Sequence, residues 1–278
     1  MQITFLVDNN SLIGSCFLAE PALSILIKDE DKRILFDAGY SDAFLINARR
    51  KGLDLLHLDW IVLSHGHFDH TWGLADLARH YFEAGLEKLS HSRPRLLAHP
   101  LAFVTKRKGA LPEIGMLIAE DKLSHQFELA LTNEPVWLSE KLVTLGEIER
   151  VLDFEQPAPL GERMDPDGPV DDNIVDDTAM AYVTDQGLVV ISGCAHSGIC
   201  NTVEQARRIT GVDTVHTVLG GFHLQKAKPE RLDPTTDYLA ALNLKNLYAC
   251  HCTDLAAKIA LARKCPIKEV GSGLTLRF

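Results

Sequence analysis

No apolar run in the 278-residue sequence approaches the roughly 18 residues of a membrane helix, so no membrane partner is expected. The N-terminus, MQITFLVDNN, lacks the basic start and small-residue cleavage site of a secretory signal, and a cytoplasmic protein is expected. Basic residues are in deficit. With 28 Lys and Arg against 38 Asp and Glu, the formal charge of -10 argues against nucleic acid, because a polyphosphate needs a basic face. Six cysteines without dense spacing do not make a disulfide framework in a chain of this length and read as reduced thiols. Nor does a Pro/Gly/Ser-rich linker divide the chain, so a single domain over residues 1–278 is expected. What is present is an ordinary globular composition, 46% hydrophobic and 24% charged, enough to bury a substantial core.

Three early segments, ITFLVD, LSILIKD and RILFDAG, are short, aliphatic and closed by Asp or Gly, and they predict an N-terminal β-meander. SDAFLINARRKGL then has helical spacing and ends near Gly52, after which DWIVLS is an apolar run of buried-strand length that delivers His65 and His67. The same unit returns in LVVISGCAH, VHTVLGGFH and LKNLYACH, which end in His196, His223 and His251. Helix-like stretches follow each one: TWGLADLARHYFEAGLEKL, NTVEQARRITG, PTTDYLAALNL and TDLAAKIALARK, the last opened by a Thr/Asp cap. The histidines therefore fall at strand-to-helix turns, which in α/β sheets cluster on one edge where sites are built. A lone histidine is usually a surface or satisfied core residue, and His57, His80, His91, His99, His125 and His216 read that way. The other six of the twelve sit at these four turns, which chance placement explains poorly.

LSHGHFDH, residues 63 to 70, packs the densest set. In an extended segment residues two apart share a side, so His65, His67 and Asp69 converge while His70 turns in as a helix begins. Imidazole and carboxylate are ligands for zinc, iron or manganese, and crowding them without a cation leaves polar groups uncompensated. A metal is the economical reading against a purely structural polar network.

HGHFDH resembles the H-x-H-x-D-H signature of the metallo-β-lactamase superfamily. The ordered blocks LVDNN, ALSILI, ILFDAG, LSHGHFDHTWGL, GEIER, GCAHSGICN, LGGFHL and CHCTD are similar to its branch of metal-dependent hydrolases related to dihydropterin-ribofuranosylaminobenzene-phosphate synthase, and they cover residues 6 to about 254. The resemblance implies an α/β fold, a four-layer αβ/βα sandwich of mixed sheets. Residues 101–175 are expected to form a pocket-lining insertion and lid. It implies two divalent ions, zinc foremost with manganese or iron as alternatives. His65 and His67 match ligands of the first ion, Asp69 and His70 match ligands of the second, and His251 completes the second site. His196, ending its strand as His65 and His251 do, is the natural third ligand of the first ion. Relatives commonly start one strand with His and end it with a bridging Asp, whereas DDTAMAYVTDQGLVVISGCAH starts with Asp176 and Asp177 and ends at Cys194. Asp177 and Cys194 thus stand as further candidate ligands, Cys194 otherwise being a small buried filler.

The implied reaction is hydrolysis or phosphate displacement on a small anionic, phosphorylated metabolite, with Asp69 and His223 as catalytic residues. Asp69 is expected to orient the attacking water or take its proton, and His223 to protonate the leaving group, with ligation or support of a ligand as alternatives for His223. Cys250 and Cys252 flank His251 and, by strand alternation, are expected to point away from what it ligates and serve packing. The acidic stretch MDPDGPVDDNIVDD, residues 164 to 177, reads as a solvated loop or as a lid. Two other readings stand beside the hydrolase, a mononuclear-iron redox enzyme and a non-catalytic metal-containing sensor. Oligomeric state is open.

Overall fold

The computed structural model describes residues 1–156 and 158–278. Its strands in chain order are β1 (Gln2–Val7), β2 (Ser24–Asp29), β3 (Lys32–Phe36), β4 (Trp60–Val62), β5 (Arg95–Ala98), β6 (Lys106–Arg107), β7 (Glu128–Leu131), β8 (Val136–Trp137), β9 (Leu142–Thr144), β10 (Glu162–Asp165), β11 (Gly168–Asp171), β12 (Ala179–Thr184), β13 (Gly187–Ser192), β14 (Val215–Gly221), β15 (Asn246–Cys250) and β16 (Thr275–Arg277). The α-helices are α1 (Ala43–Arg50), α2 (Phe68–Thr71), α3 (Leu74–Leu86), α4 (Glu120–Gln126), α5 (Ile199–Thr210), α6 (Pro229–Ala241) and α7 (Leu255–Ala262). Two compact units result: unit 1 comprises Met1–Asn133, Pro159–Asp172 and Gly271–Phe278, and unit 2 comprises Glu134–Ala158 and Asn173–Val270. Both are mixed α/β, the class expected from the sequence.

Unit 1 is built on a seven-stranded sheet ordered β16-β1-β2-β3-β4-β5-β7. β1 to β3 form the expected antiparallel meander, and from β3 to β7 neighbours run parallel. Register places Leu26, Leu35, Ile61 and Leu96 side by side on one face, where they pack with Phe44 of α1 and Leu74, Leu77 and Tyr81 of α3. Ile25, Ile34 and Phe36 on the opposite face are fully buried too. Burial of both faces is why these strands read as continuous apolar runs, and each such side chain contributes about 1.5–3 kcal/mol. α1 closes just before Gly52, whose φ of 65° is the left-handed conformation that ends the helix.

Unit 2 holds a six-stranded sheet ordered β15-β14-β13-β12-β9-β8. β13, β14 and β15 are parallel, joined through α5 and α6, while β12 and β9 run antiparallel beside them. Val143, Ala181, Val190, Val218 and Leu247 share a face and pack against Val203 of α5, Leu239 of α6 and Leu261 of α7. Parallel strands end at the same edge of their sheet, so the turns after β13, β14 and β15 lie together there. α7 starts as expected, with the Asp254 carboxylate accepting from Ala257 N at 2.9 Å, a cap worth about 1 kcal/mol.

Two elements differ from the sequence reading. α6 begins at Pro229, five residues before the PTTDYLAALNL stretch, and carries Pro234 inside it. A proline in a helical pattern signals a start, and Pro229 rather than Pro234 is the one at the first position. The acidic stretch is partly a hairpin: β10 and β11 pair from Glu162↔Asp171 to Asp165↔Gly168, and β10 pairs with β6. None of the residues of these two strands is buried, so no alternation of apolar side chains betrays the strands. No helix among the described residues is long and apolar enough to cross a membrane.

Candidate metal centre

In unit 1 the turn after β4 gathers His65, His67, Asp69 and His70. Gly66 allows the chain to pass, since a Cβ there would stand 2.3 Å from the Ala102 carbonyl oxygen. His67 keeps an extended backbone, φ -71° and ψ 154°, so α2 begins immediately after it and turns His70 inward. The rings of His65 and His67 meet edge to face, with His65 Nε2 2.9 Å from His67 Nδ1. Donor atoms of His65, His67 and Asp69 all lie within 4.8 Å of one another. His70 Nε2 is 3.9 Å from Asp69 Oδ1. Asp69 is the partly exposed member, at 20% of its side chain, while His70 is fully buried.

Asp37, at the end of β3, orients this set. Its carboxylate accepts the Ser64 backbone N–H at 2.7 Å, the Ser64 hydroxyl at 2.7 Å and His70 Nδ1 at 2.6 Å. A carboxylate only accepts, so His70 carries its proton on Nδ1 and presents the Nε2 lone pair. The Ser64 hydroxyl spends its single proton on Asp37 and lies 3.0 Å from His65 Nδ1, so it accepts there. His65 is thereby set in the same tautomer, with the lone pair on Nε2. Asp37 and His70 are both fully buried, which makes the pair a fixed support rather than a surface contact.

Unit 2 presents a different set from the ends of its parallel strands. Ala195, His223 and His251 have φ of 52°, 47° and 51°, left-handed conformations that non-glycine residues adopt at a cost of about 1 kcal/mol or more and that concentrate at functional sites. The rings of His196 and His223 meet at a tilt of 45° with centroids 4.2 Å apart. Cys194, His223 and Cys252 have donor atoms within 4.8 Å of one another, and the two sulfurs are 3.1 Å apart. Gly221 makes the closeness possible, since a Cβ would lie 2.4 Å from Gly193 O and 2.7 Å from Cys252 Sγ. Burial pushes the Cys252 thiol up, but hydrogen bonds from Cys194 and His223 and the neighbouring imidazoles outweigh it and hold the group well below the usual thiol range. The turn after β13 is pinned at both sides: Asp177 Oδ2 accepts Ser197 N at 2.8 Å, and the Glu155 carboxylate accepts the first-turn N–H groups of Cys200 and Asn201 in α5. Complete burial pushes the Asp177 carboxyl up to about 6, against hydrogen bonds from the backbone of Ser197 and His196.

His65, His67, Asp69 and His70 thus come together in unit 1 as the spacing predicts, and Cys194, His196 and His223 come together in unit 2, where Asp177 holds the backbone of the turn that carries His196. His251 is buried one residue before Cys252, with its Cδ2 beside Gly221. The alternation argument that sets Cys252 apart as a packing residue fails at His251, because a left-handed residue ends the two-residue period and swings the next side chain toward Cys194. The reading missed Asp37 and Ser64, although both stand in quoted strand ends, ILFDAG and DWIVLS. The signal was a strand-ending Asp with a glycine two residues later, which also marks any ordinary turn.

The donors fit a divalent ion. Neutral imidazole nitrogens with set tautomers and a carboxylate are the ligand types that zinc, manganese and iron accept. Unit 2 adds an independent mark: Asp177 Oδ1 and His223 Nδ1 are buried polar atoms with no hydrogen-bond partner among the described residues.

Residues 19–217 match the family model of the metallo-beta-lactamase superfamily. The 7,8-dihydropterin-6-methyl-4-(beta-D-ribofuranosyl)-aminobenzene-5'-phosphate synthase of Methanocaldococcus jannaschii is 33% identical over 271 residues, with 93% of this chain and 89% of the relative covered. An uncharacterized protein of the same organism is 30% identical over 267 residues, covering 94% of each. A solved structure described as a metal-dependent hydrolase of the beta-lactamase superfamily superposes with a TM-score of 0.83 at 26% identity, over 100% of this chain and 99% of the other.

Proposed function

We propose a function from one premise: this chain belongs to the metallo-beta-lactamase superfamily. On our reading it is a metal-dependent hydrolase or phosphate-displacing transferase acting on a small anionic, phosphorylated metabolite. It would hold two divalent ions, zinc foremost. Its ligands would be His65, His67, Asp69 and His70 in unit 1 and His196 and His251 in unit 2, with Asp177 and Cys194 as further candidates. The observation that carries the reading is the unit 1 set, in which Asp37 and Ser64 fix the tautomers so that buried His70 presents its Nε2 lone pair 3.9 Å from Asp69 Oδ1 and His65 its own beside His67. The hydrolase description of the superposed structure and the name of the 33% identical relative, a synthase of a 5'-phosphate compound, support the reaction class and the phosphorylated substrate.

A divalent ion bound here supplies Lewis acidity and lowers the pKa of water from about 15.7 toward 7. The protein's share is positioning and proton handling. Asp37 holds His70, Ser64 holds His65, and neither ring needs to reorient during turnover. Asp69, the partly exposed carboxylate of the set, accepts a hydrogen bond from the attacking water and aims it. His223 donates a proton to the departing oxygen, from a strand end beside His196.

Stripping the protein with a chelator, reloading it with zinc or manganese and assaying bis-p-nitrophenyl phosphate tests the reading. Hydrolysis that disappears and returns with metal is expected. No turnover of that diester or of p-nitrophenyl phosphate after reloading contradicts it.

A further inference from the structure

Cys252 has no part in the proposed hydrolysis, yet its side chain is one of the most closely held in unit 2. Its sulfur lies 3.1 Å from Cys194 Sγ, accepts the His223 backbone N–H at 3.1 Å and stands 3.4 Å from Cys194 O. The two cysteines are 58 residues apart in sequence and meet because β13 and β15 deliver their turns to the same sheet edge. A disulfide bond needs an S–S separation of about 2 Å, so closure takes about 1 Å of sulfur movement.

We propose that Cys194 and Cys252 are an oxidative modification site, converted by a hydroperoxide into a reversible disulfide that ties the turn carrying His196 to the turn carrying His251. Cys252 is the more exposed of the two and reacts first. Its sulfur attacks the terminal oxygen of the hydroperoxide, the O–O bond breaks, and the other half leaves as an alcohol, or as water from hydrogen peroxide, with the thiol proton. The resulting sulfenic acid is attacked by Cys194 sulfur. The S–O bond breaks, the S–S bond forms, and hydroxide leaves with the Cys194 proton as water. The sum is two thiols and one hydroperoxide giving one disulfide, one alcohol and one water, and a small thiol reverses it by exchange. The proposal concerns the sulfurs alone and stands whether or not hydrolysis is the reaction.

The as-isolated protein, carrying Cys16→Ser to remove the exposed thiol, is treated with hydrogen peroxide in slight excess, alkylated and digested for mass spectrometry. A cross-linked peptide pair joining Cys194 to Cys252, with two alkylatable thiols lost and both restored by dithiothreitol, is the expected result. Cys252→Ser and Cys194→Ser should each abolish the cross-link. Any of three results overturns the proposal: both cysteines still alkylated, sulfinic acid at Cys252 without a cross-link, or a cross-link that pairs other cysteines.

Discussion

The two units offer donors of different kinds and by different routes. Unit 1 draws its set from six consecutive residues, His65 to His70, in imidazole and carboxylate only, and fixes it from below through Asp37 and Ser64. Unit 2 assembles sulfur and imidazole from turns far apart in sequence, each bent through a left-handed residue. The difference teaches that a preorganised donor set can be made in two ways. A short motif borrows rigidity from one buried carboxylate, whereas a dispersed set takes it from a parallel sheet and its strained strand ends.

Breaking the short motif should have the largest effect. His67→Ala or Asp69→Ala is expected to abolish metal-dependent phosphodiester hydrolysis while circular dichroism stays native. Next comes His223→Ala, for which turnover is expected to fall about 100- to 10,000-fold with metal content retained, as the loss of a proton donor would do. Loss of a full metal equivalent in that variant would move His223 from proton transfer to ligation.

Asp37→Ala tests whether unit 1 depends on its support. Three buried donors, Ser64 N–H, Ser64 O–H and His70 Nδ1–H, lose their acceptor, so denaturant unfolding should show about 3–5 kcal/mol of destabilisation. Metal affinity should drop about 10- to 100-fold. Equal stability and affinity in the variant would remove Asp37 from the account.

The smallest effect concerns unit 2. Asp177 has its carboxyl pushed up to about 6 by burial, from an ordinary value of 3.8. The folded state therefore binds this proton more tightly than the unfolded one. The associated stability is fully present below pH 3.8 and is lost as pH rises through about 6. At about 1.4 kcal/mol per tenfold change in proton affinity, the metal-free protein should lose about 3 kcal/mol across that window, and Asp177→Asn should flatten the profile. An unchanged profile in the variant would assign the dependence to another group.

Much of this was legible because burial writes itself into sequence. Ile34, Leu35 and Phe36, or Val189, Val190 and Ile191, are buried on both faces of their sheets, so the strands appear as apolar runs and the histidines that end them stand out. Asp37 was not legible as a support, because the same residue type closes β-turns everywhere and only the fold shows Ser64 and His70 converging on it. Cys252 was misread because alternation assumes an extended backbone, and His251 departs from it. The β10–β11 hairpin left no apolar period to read, since none of its strand residues is buried in a core.

The central claim is that the turn after β4 grips metal. Elemental analysis of the protein purified without chelator, from medium supplied with zinc, manganese and iron, tests it most directly. The account predicts about two equivalents of divalent transition metal per chain, falling sharply in His67→Ala. A protein that emerges metal-free, or one whose metal content is unchanged by that substitution, contradicts it.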